Sequence, residues 1–246
     1  MTNDQLKRIL FIDIETVPIT GRFSDLNENM QSLWTRKSKL LRSDTPEDAE
    51  PAKLFMDRGG IFSEFSKVVC IGIGSIIEHE QAWKIRLKSI CHDDEKVLLN
   101  NFSDILRRFS TTYKDMRFSG HNIREFDLPF LCRRMIINGI ALPEALQLGG
   151  KKPWENPHVD TLELWKFGDY KHYTSLALLA EVLGIPSPKN DMEGSMVTKV
   201  YWEDHNLGRI ADYCLQDVLT SCKVLLHLSG RKDLDPAPLY LKEEDQ

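Results

Sequence analysis

Hydrophobic positions along the chain fall into short solid runs and longer stretches with helical spacing. Ile9 to Ile12 is a solid apolar run, the pattern of a strand buried on both faces, and Val17-Pro18 ends it. Ser66 to Ile77 is a second β-rich run, relieved by Gly72 and Gly74. Alternation returns from Ala82 to Leu87 after Glu78-His79-Glu80-Gln81, a hairpin signature that predicts antiparallel second and third strands. Val97, Leu98, Phe102, Ile105, Leu106 and Phe109 give one helical face over 95–109, with Asp93 or Asp94 as its cap. Met116 to Ser119 reads as a fourth strand.

Pro129, close behind Asp127, marks the first turn of a helix that continues through Cys132, Met135 and Ile136 to Gly139. His158 to Thr161 gives a fifth short strand entering Leu162–Trp165. Thr174 or Ser175 caps a helix with Leu176, Leu179, Ala180 and Leu183 on one face, stopped by Gly184-Ile185-Pro186. A polar loop, Ser187 to Gly194, leads to a long final helix from about Asp204 to Ser229. The order of elements predicts an α/β protein with a mixed central sheet of about five strands flanked by helices. The whole chain, 1–246, reads as one domain. Residues 19–66 form an insertion between the first two strands, read as a peripheral helical hairpin in preference to a substrate gate. The tail 234–246 is expected to be loose.

Composition narrows the class without naming it. With 246 residues and 41% hydrophobic content the chain can bury a substantial core. A formal net charge of −5 argues against a broad basic coat for wrapping duplex nucleic acid, though an acidic metal centre would itself add negative charge. Five cysteines without a CxxC pair give no complete disulfide framework, and Cys70 and Cys132 read as core thiols. The polar start, Met1 to Arg8, precedes an apolar run too short for a signal peptide or membrane span. The expectation is a soluble, cytoplasmic protein in a reducing compartment.

The chemistry starts at Asp13-Ile14-Glu15. Two carboxylates at i and i+2 on a strand point to one face, and such a pair is costly to bury unless a cation compensates. A divalent metal is one answer; a polar loop beginning after the strand is the other. Asp127 at a helix start would face back toward the sheet edge, or act as a plain N-cap. Asp217 follows Tyr213 by four residues, so the two share a helical face that flanking apolar positions turn inward; alone, Asp217 reads slightly better as a solvated helix residue. Four carboxylates gathered from one strand, one helix start and one late helix suit two Mg²⁺ or Mn²⁺ ions and phosphodiester hydrolysis. No Cys/His cluster offers a zinc site instead.

Asp13-Ile14-Glu15, Asn122 with Asp127, and Tyr213-x-x-x-Asp217 resemble the three motifs of the DEDDy 3′–5′ exonucleases, which have a ribonuclease H-like (DnaQ-like) fold. Met192-Glu193-Gly194-Ser195 followed by Ile210–Val218, and the Pro-free entry Phe62–Gly72, resemble a stand-alone group similar to the proofreading exonuclease domain of family B DNA polymerases. The resemblance spans roughly 7–228. It implies that Asp13, Glu15 and Asp217 bind one metal, that Asp13 reaches the second, and that Asp127 holds that second ion directly or through water. It implies that Tyr213 orients the attacking water; a phenol, protonated at neutral pH, is a poor base. The implied partner is the 3′ end of a single strand, DNA before RNA, with no membrane.

Softer candidates surround these. Ile14 and Thr16 are expected to meet the terminal nucleotide through the backbone, and Asn122 to bond substrate or brace Asp127. Phe126 stacks near a base or belongs to the core. Asp160 reads as a capping or supporting acid, and His121 and His158 as loop residues with no ligand role. Lys189, Lys199, Arg124, Arg133 and Lys151-Lys152 are phosphate contacts or solvated surface. Two other readings compete. A haloacid dehalogenase-type phosphatase needs Asp where Glu15 stands and has no task for Tyr213 and Asp217. A non-catalytic nucleic-acid-binding or interaction module of the same fold would have lost an acid, and none is missing.

Overall fold

The first strand does not stop where its hydrophobic run ends. In the computed structural model, which describes residues 1–41, 50–169, 171–186 and 192–241, β1 spans Ile9–Pro18 and carries Asp13 and Glu15 in its interior. The reason is its neighbour β2 (Ser66–His79), which pairs with it antiparallel from Leu10 opposite Ser75 to Pro18 opposite Ser66. A register shift between Glu15 and Thr16 bends the strand directly after the acidic pair.

β3 (Ala82–Cys91) returns antiparallel along β2, as the hairpin pattern predicted. β4 (Arg117–Gly120) runs parallel to β1 but pairs only with Ile9, Leu10 and Phe11, and β5 (Val159–Asp160) adds parallel to β4. A sixth strand, β6 (Ala237–Tyr240), lies parallel to β3. The order is β5-β4-β1-β2-β3-β6. The sheet therefore has one strand more than expected, and part of the tail expected to be loose is ordered. Four residues beginning Ala-Pro carry too little pattern to be read as a strand; the open edge of β3 holds them there.

Helices cover both faces. Leu10, Ile12 and Ile14 pack with Leu98, Phe102 and Leu106 of α4 (Glu95–Thr112) and with Leu128 and Leu131 of α5 (Asp127–Ile137). On the other face, Phe11, Ile85 and Leu87 meet Leu215, Val218 and Cys222 of α9 (Leu207–Leu228). Asp13 and Glu15, odd-numbered like Phe11, project toward α9. Asp94 caps α4 and Ser175 caps α7 (Leu176–Val182). Two helices had no place in the sequence pattern, α1 (Asn3–Lys7) and α8 (Val197–Trp202). α6 (Thr161–Lys166) follows β5 directly.

The insertion contains two helices, α2 (Glu28–Ser38) and α3 (Pro51–Arg58), around an apolar cluster of their own. Trp34 is fully buried there, with ring centroids 5.5 Å from Phe55 and 5.1 Å from Phe65, and its indole N–H donates to the Pro51 carbonyl at 2.7 Å. Most of the acidic run Ser43–Pro51 and Lys189 lie outside the described residues. No described helix is long and apolar enough to cross a membrane.

One buried ion pair locks the α4–α5 side. Arg134 donates to both carboxylate oxygens of Glu95 at 2.9 and 2.5 Å and to the Ser63 carbonyl, while Glu95 also accepts from the backbone of Val68 and from Asn138. With every strong donor and acceptor matched, the desolvation cost of the pair is offset.

Candidate active site

The four acids converge at the end of β1 where β4 has stopped pairing. Asp13 and Glu15 come from the strand, Asp217 from the middle of α9 and Asp127 from the first residue of α5. Asp127 does not act as the N-cap of its helix; the cap position is Phe126, which makes no side-chain capping bond. The Asp127 carboxylate instead accepts from the backbone N–H of Ile14 at 3.0 Å. Because β4 pairs with β1 only as far as Phe11, the β1 edge beyond it needs another partner, and Asp127 supplies one.

Gly120 makes this crossing possible. A Cβ built there would stand 2.5 Å from the Ile12 carbonyl oxygen, so only glycine lets the end of β4 pass β1 so closely. The following loop is pinned by Asp160, which accepts from the backbone N–H groups of Asn122 at 3.0 Å and Arg124 at 2.9 Å and also caps α6. Asn122 takes a left-handed backbone at φ 63°, a conformation asparagine tolerates better than most residues.

Electrostatics mark the cluster. Burial, followed by repulsion from Glu15, Asp127 and Asp217, pushes the Asp13 carboxyl well above its ordinary range. Glu15 is raised for the same reasons, with Asp217 the strongest neighbour. Burial lifts Asp127 to about 7 despite bonds from its own N–H and that of Ile14, and lifts Asp217 to about 6 despite a bond from Tyr213. Among the described residues no Lys, Arg or His forms an ion pair with any of these four acids. Four crowded carboxylates with no cationic partner among the described residues match the donor set of hard divalent ions. Asp13, Glu15 and the Cys214 thiol also bring ligand atoms within 4.8 Å of one another, so the centre includes one soft donor that the acid motifs did not flag.

Tyr213 sits one turn before Asp217, half-buried. Burial and then Asp217, Glu15 and Asp13 push its phenol far above the usual range, so it stays protonated and donates. The 192–195 segment passes nearby: a side chain begun at Gly194 would reach within 3.8 Å of the Tyr213 hydroxyl. Cys214 donates weakly to the Asp13 carbonyl and carboxylate, each at 3.4 Å.

The softer candidates separate. The Ile14 N–H is committed to Asp127 and its side chain to the core. Thr16 donates its hydroxyl to the Gly60 carbonyl at 2.8 Å, holding the insertion against β1. Asn122 makes no hydrogen bond to Asp127; it acts through its N–H on Asp160. Phe126 packs on Phe130 with centroids 5.3 Å apart, at the edge of the core. His158 accepts from the Phe118 N–H and reaches the Ala145 carbonyl, and His121 bonds Thr161 and the Thr174 carbonyl, so each imidazole holds loops together. Arg124 bonds the Pro153 carbonyl, Lys152 lies over the Trp154 ring, and Arg133 and Lys199 are exposed. Surface concavities of about 670 and 580 Å³ flank α4, and none of the four acids lines them.

A mixed six-stranded sheet with helices on both faces and acids at its central strand is the architecture of ribonuclease H-like exonucleases. The chain belongs to the family described as a predicted 3′–5′ exonuclease related to the exonuclease domain of PolB, whose model matches residues 61–236. Asp127, Tyr213 and Asp217 lie inside that span, and Asp13 and Glu15 precede it. The fold is also that of a family B DNA polymerase from the hyperthermophilic archaeon Pyrobaculum calidifontis, with a TM-score of 0.52 and 16% identity. That similarity covers 89% of this chain and 24% of the polymerase, so the chain spans about a quarter of its length. No curated protein sequence matches the chain.

Proposed function

We propose that the chain is a metal-dependent 3′–5′ exonuclease. It hydrolyses the last phosphodiester bond at the 3′ end of single-stranded nucleic acid, DNA in preference to RNA, and releases nucleoside 5′-monophosphates. The observation that carries this reading is the convergence of Asp13, Glu15, Asp127 and Asp217, with burial raising all four carboxyls and repulsion from neighbouring acids adding to the rise at Asp13, Glu15 and Asp127. Asp13, Glu15 and Asp217 would hold one Mg²⁺ or Mn²⁺ ion, and Asp13 with Asp127 would hold a second, Asp127 directly or through water. Ions bound there would supply the chemistry of acidifying a water and stabilising charge on the departing 3′-oxygen.

The protein's own groups set the rest. Tyr213, protonated and donating its one O–H to Asp217, orients the attacking water by accepting a hydrogen bond at its phenol oxygen and does not remove its proton. Asp127 is fixed by the Ile14 N–H, which orients its carboxylate from the sheet edge. Membership in the PolB-related exonuclease family supports the polarity of digestion.

A time course on DNA and RNA strands of equal sequence, labelled at the 5′ end, tests the proposal with Mg²⁺ or Mn²⁺ present. The expected product is a ladder of progressively shorter labelled strands, faster on DNA, and none from Asp217→Asn. Immediate release of labelled mononucleotide would overturn the polarity, and full activity in folded Asp217→Asn would overturn the site. Tyr213→Phe is expected to lower the rate about 10- to 100-fold while leaving some digestion, as befits a group that orients water through one hydrogen bond.

A further inference from the structure

Three of the five thiols, far apart in sequence, gather behind the acidic pair. Pairing of β1 with β2 sets Glu15 opposite Cys70, and pairing of β2 with β3 sets Cys70 opposite Cys91. Directly opposed residues project from one face of a sheet, so Glu15, Cys70 and Cys91 form a row across three strands. That face meets α9, whose Cys214 bonds Asp13. Cys70 and Cys91 are both free thiols, with sulfurs 2.7 Å apart. Opposed residues of an antiparallel pair have Cα atoms about 4.5 or 5.5 Å apart, and both separations lie in the range a disulfide spans. Thiolates around a tetrahedral zinc stand about 3.8 Å apart, wider than this pair. Cys70 is fully buried, whereas Cys91, on the outer strand of the three, is partly exposed.

We propose that Cys70 and Cys91 are an oxidative modification site, converted by hydrogen peroxide into a reversible cross-strand disulfide in the row that carries Glu15. Cys91, the accessible member, attacks one peroxide oxygen as the thiolate; the O–O bond breaks, hydroxide leaves, and Cys91 becomes a sulfenic acid. Cys70 then attacks the Cys91 sulfur. The S–S bond forms, the S–O bond breaks, and water departs with the Cys70 proton. In total two thiols give up two electrons and two protons, and one peroxide becomes two waters. Cys214 also bonds Cys70, but it is buried and held on Asp13, so peroxide meets the accessible Cys91 first and Cys214 stays reduced.

The test needs no nuclease assay. The folded full chain is treated with hydrogen peroxide, alkylated under denaturing conditions and digested with trypsin without reductant. Mass spectrometry is expected to find Val68–Lys84 joined to Ser89–Lys96, a species that dithiothreitol removes and that Cys91→Ser lacks. Cys214→Ser is expected to retain the link. A Cys70–Cys214 link, Cys91 advanced to sulfinic acid beside an alkylated Cys70, or complete alkylation of both thiols in the wild-type chain would each overturn the proposal.

Discussion

Asp127 reaches across from the start of α5 to accept the backbone N–H of Ile14 at 3.0 Å, between the two acids of β1. The bond closes a sheet edge and aims a carboxylate at the acidic centre at the same time. It also explains why an acid at a helix start is no cap here. The donor it satisfies belongs to a different element.

Two substitutions at Asp127 separate these tasks. Asn keeps an oxygen for the Ile14 N–H and removes the charge; Ala removes both. Both variants are expected to be inactive, so activity does not distinguish them. Stability does, because Asp127→Ala leaves a buried N–H without a partner, at a cost of about 1–3 kcal/mol relative to Asp127→Asn. Denaturant melts of the two metal-free variants give that difference directly. Equal midpoints would show that the Ile14 bond contributes nothing to the fold.

Much of the fold was readable because it follows local pattern: the β2–β3 hairpin, the apolar face of α4 and the inward face of α9. The four acids were readable because each sits at a patterned position. What escaped depends on partners distant in the chain. The extent of β1 to Val17-Pro18 was legible, but the register shift directly after Glu15 comes from its pairing with β2. Nothing in the sequence pattern pairs Glu95 with Arg134, and only the approach of α4 to α5 buries them together. The thiol row needs the register of three strands before Cys70 and Cys91 become neighbours. Thr2 and Gln5 did carry a signal for α1, a reciprocal capping box, in a segment that reads otherwise as a polar start.

The acidic centre predicts an unusual pH response. A carboxyl whose folded pKa is raised stabilises the protein below its unfolded pKa, near 4 for Asp, and loses that contribution as pH rises through the folded value. With Asp217 at about 6, Asp127 at about 7, and Asp13 and Glu15 also raised, metal-free stability from this source falls between about pH 4 and 8. His158 acts oppositely: burial lowers it to about 4, so its contribution grows as pH rises from there and levels off once the unfolded imidazole loses its proton. The double variant Asp127→Asn with Asp217→Asn isolates the acids. Wild-type Tm is expected to drop by several degrees relative to this variant on going from about pH 5 to 8 without metal. Mn²⁺ is expected to restore it at the higher pH in wild type and not in the variant. Parallel Tm curves for the two metal-free proteins would count against a crowded, uncompensated centre.

Gly72 sets how closely α9 approaches the acids. It pairs with Asp13 across β1 and β2, and a Cβ there would stand 2.8 Å from Cys214 Sγ, 3.0 Å from Val218 Cγ2 and 3.2 Å from the Cys214 carbonyl oxygen. The last of these is backbone, so rotating the Cys214 side chain does not relieve it and α9 must give by a few tenths of an ångström. Gly72→Ala is therefore expected to cost about 1–3 kcal/mol of stability through overpacking. The same shift carries Tyr213 and Asp217 away from Asp13 and Glu15, so activity is expected to fall more than ten-fold at temperatures where the variant is fully folded. Gly194→Ala is the control, since its new Cβ meets nothing closer than the Tyr213 hydroxyl at 3.8 Å. Melting curves and digestion rates on both variants check the claim. A Gly72→Ala protein as stable and active as wild type would mean that α9 does not rest on β2 at this point, and that the spacing of Asp217 from the β1 acids is set elsewhere.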